Sequence, residues 1–320
     1  RFTDTGKFHS VVMAKDNKTF IDRSSSVNHP AQVSLRDNLG NFITWLEPNR
    51  LDNNQPLTPY LNDLVEPEYG TLKADDGQQM HYRLFKPKAL EAGKKYPVMV
   101  NVYGGPHAQR VTNSWRSKNL YFQYMVQQGY IVFQLDNRGS YNRGKKFEDP
   151  IYKHLGEIEV QDQIKGVEFL RTLDFVDPER IGIYGHSYGG YMALMTMFKA
   201  GDYFKAGVSG APVTDWALYD THYTERYLGH PQTNAKGYDQ SAVFPYAEGL
   251  SGPLMIYHGM ADDNVLFTHA TKLFKQLQDN AQQFEMMTYT GSKHSVRGKQ
   301  VQTHLHQTIT NFFNRNFNTN

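Results

Sequence analysis

The sequence predicts an α/β chain, with a mostly parallel sheet covered by helices on both faces and a short antiparallel β segment in front of it. Three observations predict this. Apolar runs such as YPVMVNVYGG (96–105) and YIVFQLDNRG (130–139) are continuous and end in glycine, as strands buried on both faces do. Stretches of helical period alternate with such runs. The first 49 residues instead hold short apolar runs cut by turn residues.

Taken in order, HSVVMA, KTFIDRS, QVSLRD and NFITWL, separated by KDNK, SVNHP and DNLGN, read as antiparallel strands. They are too few to close a sandwich or a barrel, so residues 1–49 are expected to end something larger. Residues 50–65, RLDNNQPLTPYLNDLV, read as a linker, with two prolines and several Asn and Asp. Residues 66–320 carry the α/β pattern. VQDQIKGVEFLRTL (160–173) puts Val160, Ile164, Val167 and Leu170 on one helical face. RIGIYGH is a strand, and YMALMTMFKAG a helix with Gly201 as its expected C-cap. KAGVSGAP and PLMIYHG are two more buried strands. THATKLFKQLQDNA, FEMMTYT and QTHLHQTITNFFNRNF form a helix–strand–helix ending, whose phenylalanines face either this chain's core or a partner.

Composition excludes several function classes. The net charge is +2 over 320 residues, with no run of five like charges, so no nucleic-acid partner is expected. Without cysteine there is no disulfide, no thiolate metal site and no cysteine nucleophile. No apolar stretch reaches the roughly eighteen residues that span a bilayer. The chain opens at Arg1 without a signal pattern and is expected to be part of a longer protein.

GIYGHSYGGYMALM (182–195) carries the chemistry. In G-x-S-x-G the serine sits on a sharp strand-to-helix turn, and larger side chains two positions to either side would collide with neighbouring elements. Gly185 and Gly189 flank Ser187 at those positions, with a strand pattern before and a helix pattern after. His186 is not the expected base, because adjacent side chains on a tight turn diverge. On such a fold the order is Ser, Asp or Glu, His. His294, in the loop after the last strand, is the expected base, ahead of His222, His230, His258, His269, His304 and His306. His258 reads as a packed strand-end residue, and His304 and His306 as solvated on a helix. The acid is expected to end the preceding strand, at Asp262 or Asp263. The oxyanion needs donors, each worth about 3 kcal/mol. These are the Tyr188 backbone N–H and, in the loop after VMVNVYGGP, the Tyr103 hydroxyl.

GHSYGGY, VYGGP, DNRGS, HGMADDNV and APVTDWALYDTHYTERYLG together resemble the prolyl oligopeptidase clan of serine peptidases, the last two resembling its dipeptidyl peptidase IV branch. The resemblance runs over about residues 80–315. It implies an α/β-hydrolase domain preceded by a β-propeller, of which residues 1–49 would be the final strands. It implies Ser187, Asp262 and His294 as the triad, favouring Asp262 over Asp263, and Tyr103 as the oxyanion tyrosine. It implies Asn264 as the holder of a substrate carbonyl, and a proline pocket of Tyr188, Val213, Trp216, Tyr219, Tyr223 and Val265. Burying three proline methylenes in such a box is worth roughly 2.4 kcal/mol. The implied activity is release of N-terminal Xaa-Pro dipeptides, less well Xaa-Ala, with no metal or organic cofactor. A homodimer and a periplasmic or otherwise extracytoplasmic location are further implications. Two features depart from the pattern. His186 stands where this branch often has tryptophan, which is expected to alter packing rather than chemistry, and the propeller glutamates that read a free amino terminus are not in this chain.

Overall fold

In the computed structural model, which describes residues 2–53 and 55–319, the chain divides into two compact units. One joins the N-terminal stretch up to Glu68 with Val111–Tyr124; the other joins Tyr69–Arg110 with everything from Met125 onward.

In the first unit, β1 (Phe8–Met13), β2 (Thr19–Ser26), β3 (His29–Asp37) and β4 (Phe42–Glu47) pair antiparallel in sequence order. This is a meander of the kind that makes one propeller blade. Asp22, fully buried, meets His9 Nδ1 at 2.8 Å and Arg36 Nε at 3.3 Å. Residues 111–124 join this unit although they lie in sequence between strands of the other. Asn113 bonds both Gly6 O (2.9 Å) and Val27 N (3.1 Å), and Gln123 bonds the Val65 carbonyl and amide at 3.0 and 2.7 Å.

The second unit is built on β5 (Glu68–Lys73), β6 (Gln79–Phe85), β7 (Tyr96–Val102), β8 (Ile131–Leu135), β9 (Val176–His186), β10 (Ala206–Gly210), β11 (Leu254–Gly259) and β12 (Glu285–Tyr289). Their spatial order is β12-β11-β10-β9-β7-β8-β6-β5. From β8 through β12 every neighbouring pair is parallel, while β6 runs antiparallel to β8. Helix α1 (Leu120–Gln127) begins in the first unit and ends in the second; the second unit's other helices are α2 (Lys145–Glu148), α3 (Ile158–Arg171), α4 (Tyr188–Lys199), α5 (Thr221–Leu228), α6 (Ala235–Ser241), α7 (Thr268–Asp279) and α8 (Lys299–Phe317). The central strands are buried along nearly their whole length, which is why they read as unbroken apolar runs. On α3, Val160, Val167 and Leu170 are buried and Ile164 packs against the same core, as the periodicity predicts.

Two expectations change. Gly201 is not the C-cap of α4; Ala200 is, at φ −138°. Gly201 has no positive φ, and a Cβ there would meet only the rotatable hydroxyl of exposed Ser251 at close range. The α8 phenylalanines face this chain's own core: Phe312, Phe313 and Phe317 are buried, and Gly182 of β9 leaves room for the last two. They therefore lend nothing to a dimer.

Candidate active site

The chemistry-bearing residues follow the carboxyl ends of successive parallel strands, where open α/β sheets form their crevices. Tyr103 follows β7, Ser187 follows β9, Val213 follows β10, Asp262 follows β11 and His294 follows β12.

Ser187 holds φ +62° and ψ −122°, a region that side-chain-bearing residues avoid and that costs about 1–3 kcal/mol. Its amide donates to Gly210 O at 2.8 Å, anchoring the turn to β10. The flanking glycines are needed for the close approach. A Cβ on Gly185 would lie 2.1 Å from Gly189 O, and one on Gly189 would lie 2.3 Å from Val102 O.

His294 Nε2 lies 2.9 Å from Ser187 Oγ, and its Nδ1 lies 2.8 Å from Asp262 Oδ2. An ionised carboxylate only accepts, so Nδ1 carries the proton and Nε2 accepts from the serine hydroxyl. Asp262 is buried. Burial opposes its charge, but donors from His258, His294 and the Asn264 and Val265 amides outweigh that and hold its pKa well below the usual carboxylate range. Asp263, the other candidate acid, is exposed and paired with Lys293. The remaining candidate histidines are engaged elsewhere: His222 with Arg226, His269 with Thr214, His304 with Tyr289. His306 is half-buried rather than solvated, and burial lowers its pKa.

His186 bonds Tyr257 Oη at 3.1 Å and lies with its ring centroid 4.9 Å from that of His294. Burial, then the neighbouring His294, push its pKa down to about 4. The residue before the serine thus walls the base as well as packing the strand end.

Tyr188 is the first residue of α4, so its N–H is one of the donors a helix cannot satisfy internally. Its ring is buried, and its hydroxyl donates to Glu159 Oε1 at 2.7 Å. Glu159 is fully buried, and burial raises its pKa against the opposing Tyr188 and Gly156 donors. The Tyr103 ring centroid is 6.0 Å from that of Tyr188, and the Arg110 guanidinium sits 4.5 Å above the Tyr103 ring. Burial raises the Tyr103 phenol pKa, and Arg110 offsets part of that rise. The loop carrying Tyr103 is held by buried Asn137, which donates to Gly104 O at 2.8 Å and accepts from Gln163 at 2.9 Å.

Buried Trp216 gathers the remaining aromatic residues. Its ring lies 5.5 Å from Tyr188, 6.0 Å from Tyr219 and 6.1 Å from Tyr223, stacked on the last. Val213 and Val265 are buried in the same core. Asn264 is exposed and accepts from the Tyr219 hydroxyl.

Sequence reasoning missed Asn137, Glu159 and the role of His258. For His258 a signal existed: the four-residue step from His258 to Asp262 at a strand end folds one side chain back onto the other. A surface cleft lined by Leu250, Pro253, Phe284 and Phe312 lies at the amino ends of β11 and β12, away from these residues. Among the described residues no helix is long and apolar enough to cross a membrane, and no cluster of three or more His, Cys, Asp or Glu could hold a metal.

The profile of the prolyl oligopeptidase family matches residues 115–320. The chain belongs to the prolyl oligopeptidase family. It is 37% identical over 320 residues to mouse dipeptidyl peptidase 8, covering 95% of this chain and 35% of that protein. Bovine dipeptidyl peptidase 4 is 32% identical, over 98% of this chain and 41% of its own length. Among solved structures, a putative dipeptidyl aminopeptidase IV from Bacteroides ovatus matches with a TM-score of 0.88 and 39% identity, over 97% of this chain and 43% of that one. This prolyl oligopeptidase family chain therefore spans well under half the length of these relatives. Its α/β-hydrolase fold, preceded by propeller-like strands, is the one the sequence predicted.

Proposed function

We propose that this chain is the catalytic part of a serine exopeptidase that releases N-terminal Xaa-Pro dipeptides, and Xaa-Ala less well, through an acyl-enzyme. The observation that carries the reading is the hydrogen-bonded line Ser187–His294–Asp262, set beside the aromatic group around Trp216. The names of the similar proteins support the same class.

In this reading Ser187 Oγ attacks the carbonyl that follows the proline, and its proton passes to His294 Nε2. Asp262 keeps His294 in the Nδ1–H tautomer and offsets the imidazolium charge. The Tyr188 N–H and the Tyr103 hydroxyl receive the charge that develops on the carbonyl oxygen. His294 then gives its proton to the leaving amine, and water repeats the sequence to free the dipeptide. Tyr188, Val213, Trp216, Tyr219, Tyr223 and Val265 enclose the proline ring, with the Asn264 amide on a substrate carbonyl. The same reading carries a homodimer in an extracytoplasmic compartment, with no metal or organic cofactor.

The test is kcat/KM of the full-length protein, propeller included, on Gly-Pro-anilide and on its N-acetylated form, with Ser187→Ala as the blank. A large preference for the free amine, absent from the blank, is expected. Equal or better cleavage of the blocked substrate would move the protein to endo- or acylaminoacyl peptidases. Cleavage of neither, with no labelling by a fluorophosphonate, would overturn the enzyme reading.

A further inference from the structure

The carboxylate oxygen that orients His294 is shared with a second imidazole. Asp262 Oδ2 lies 2.8 Å from His294 Nδ1 and 3.1 Å from His258 Nε2. The same His258 nitrogen lies 2.8 Å from the Val265 carbonyl oxygen. Both partners are acceptors, so Nε2 carries the ring proton and divides it between them. His258 ends β11 with 0% exposure, its ring edge-on to Phe267 at 5.5 Å. Its Nδ1 is buried and has no partner among the described residues. An apolar residue would fill this space without leaving a bare nitrogen there, so the Nε2–H is the feature that distinguishes histidine at this position.

We propose that His258 is a positioning residue that sets the basicity of His294 through Asp262; the proposal rests on the Ser187–His294–Asp262 reading above. The bond has a geometric consequence. It ties Asp262 to the Val265 carbonyl, closing the turn whose Asn264 and Val265 amides donate to Asp262 Oδ1 at 2.9 and 3.0 Å. The acid and the residues beside the substrate are thereby fixed as one piece. The bond also has an electrostatic consequence. Each N–H aimed at Oδ2 takes up part of its charge, so less is left to stabilise protonated His294. Removing the His258 donor makes His294 hold its proton to higher pH.

The other groups around the pair are accounted for. His294 faces Ser187 and His186 from the end of β9, Asp262 from the turn after β11, and the exposed Asp263–Lys293 pair near its own loop. His258 faces Asp262, Val265 and Phe267, with His186 and His269 also within its electrostatic reach. Of these only Asp262 bonds both imidazoles.

The experiment is the pH dependence of kcat/KM on Gly-Pro-anilide for the wild type, His258→Leu, His258→Phe and His258→Gln. Glutamine carries an amide N–H to the place of the ring Nε2, whereas leucine and phenylalanine supply none. The acid limb of the two apolar variants is expected to move up by about half a pH unit or more. Their plateau is expected to fall, and glutamine to restore both. Either apolar variant suffices if the other does not fold, with the pH dependence of fluorophosphonate labelling at Ser187 as a second readout. A lowered plateau with an unmoved limb would reduce His258 to packing. An equal shift in the glutamine variant would show that the donor is not the cause. If Asp262→Asn leaves rate and profile unchanged, the relay reading fails and takes this proposal with it. A strong Asp262 dependence beside an unmoved His258 limb sinks this proposal alone.

Discussion

Tyr219 donates its hydroxyl proton to Asn264 Oδ1 across 3.0 Å, which leaves the Asn264 NH₂ as the end free to meet an acceptor. An amide without such a partner flips, presenting oxygen or nitrogen by turns. Tyr219→Phe removes the bond while keeping the ring that stands edge-on to Trp216 and Tyr223. The expected result is a several-fold rise in KM on Gly-Pro-anilide with kcat nearly unchanged, since ground state and transition state use the amide alike. A fall in kcat at constant KM would instead give Tyr219 a role in the chemistry.

Tyr103 carries a different expectation. Its hydroxyl is assigned to the charge that develops only as the carbonyl is attacked, so Tyr103→Phe should lower kcat with little effect on KM. Loss of one such donor costs about 10²–10³ in kcat. Steady-state kinetics on the same anilide check this. Arg110→Gln removes the guanidinium that counters the burial-driven rise of the phenol pKa. It is expected to lower kcat in the same direction by a smaller factor.

Much of this was legible in the residues, for identifiable reasons. The buried strands betray themselves because a strand covered on both faces has no solvent-facing side, so polar and apolar residues do not alternate along it. Ser187 is legible because its strained backbone forces glycine at Gly185 and Gly189, and collision geometry leaves a mark in sequence. Asp262 against Asp263 was not decidable from spacing, since both end the same strand; in the fold Asp262 is buried against His294, while Asp263 is exposed and paired with Lys293. Gly201 misled because glycine after a helix usually signals a left-handed cap, whereas here Gly201 does not take a positive φ and the helix ends at Ala200. Nothing in the sequence joins residues 111–124 to the N-terminal strands, because Asn113 and Gln123 act through single side-chain amides and leave no periodic pattern.

Asp262 links activity to acid stability. Asp262→Asn favours the wrong His294 tautomer and is expected to lower kcat by about 10⁴. The stability effect has a definite sign. The folded pKa lies below the unfolded value of about 3.9, so the carboxylate contributes fully above that pH and its contribution is lost as the pH falls towards the folded value. The variant should therefore unfold at a lower temperature than wild type at pH 7, with the gap closing below about pH 4. Thermal unfolding of both proteins across pH 3 to 8 checks it, and a constant gap would contradict it.

Glu159 gives the opposite sign. It is fully buried beneath Tyr188, accepting from that hydroxyl at 2.7 Å and from the Gly156 amide at 3.0 Å, and burial still raises its pKa. A carboxyl whose folded pKa exceeds the unfolded value of about 4.3 binds more protons folded than unfolded, so it weakens the fold as the pH rises through that window. Glu159→Gln keeps an oxygen for Tyr188 and removes the titration. It should unfold at a higher temperature than wild type at pH 7 and converge with it below about pH 4. Glu159→Leu removes the acceptor as well and strands the buried Tyr188 hydroxyl, at a cost of about 1–3 kcal/mol. Because the Tyr188 ring and N–H both border Ser187, the leucine variant should also lose kcat while the glutamine variant keeps it. Equal stability of the glutamine and leucine variants at every pH would show that Tyr188 does not need the acceptor.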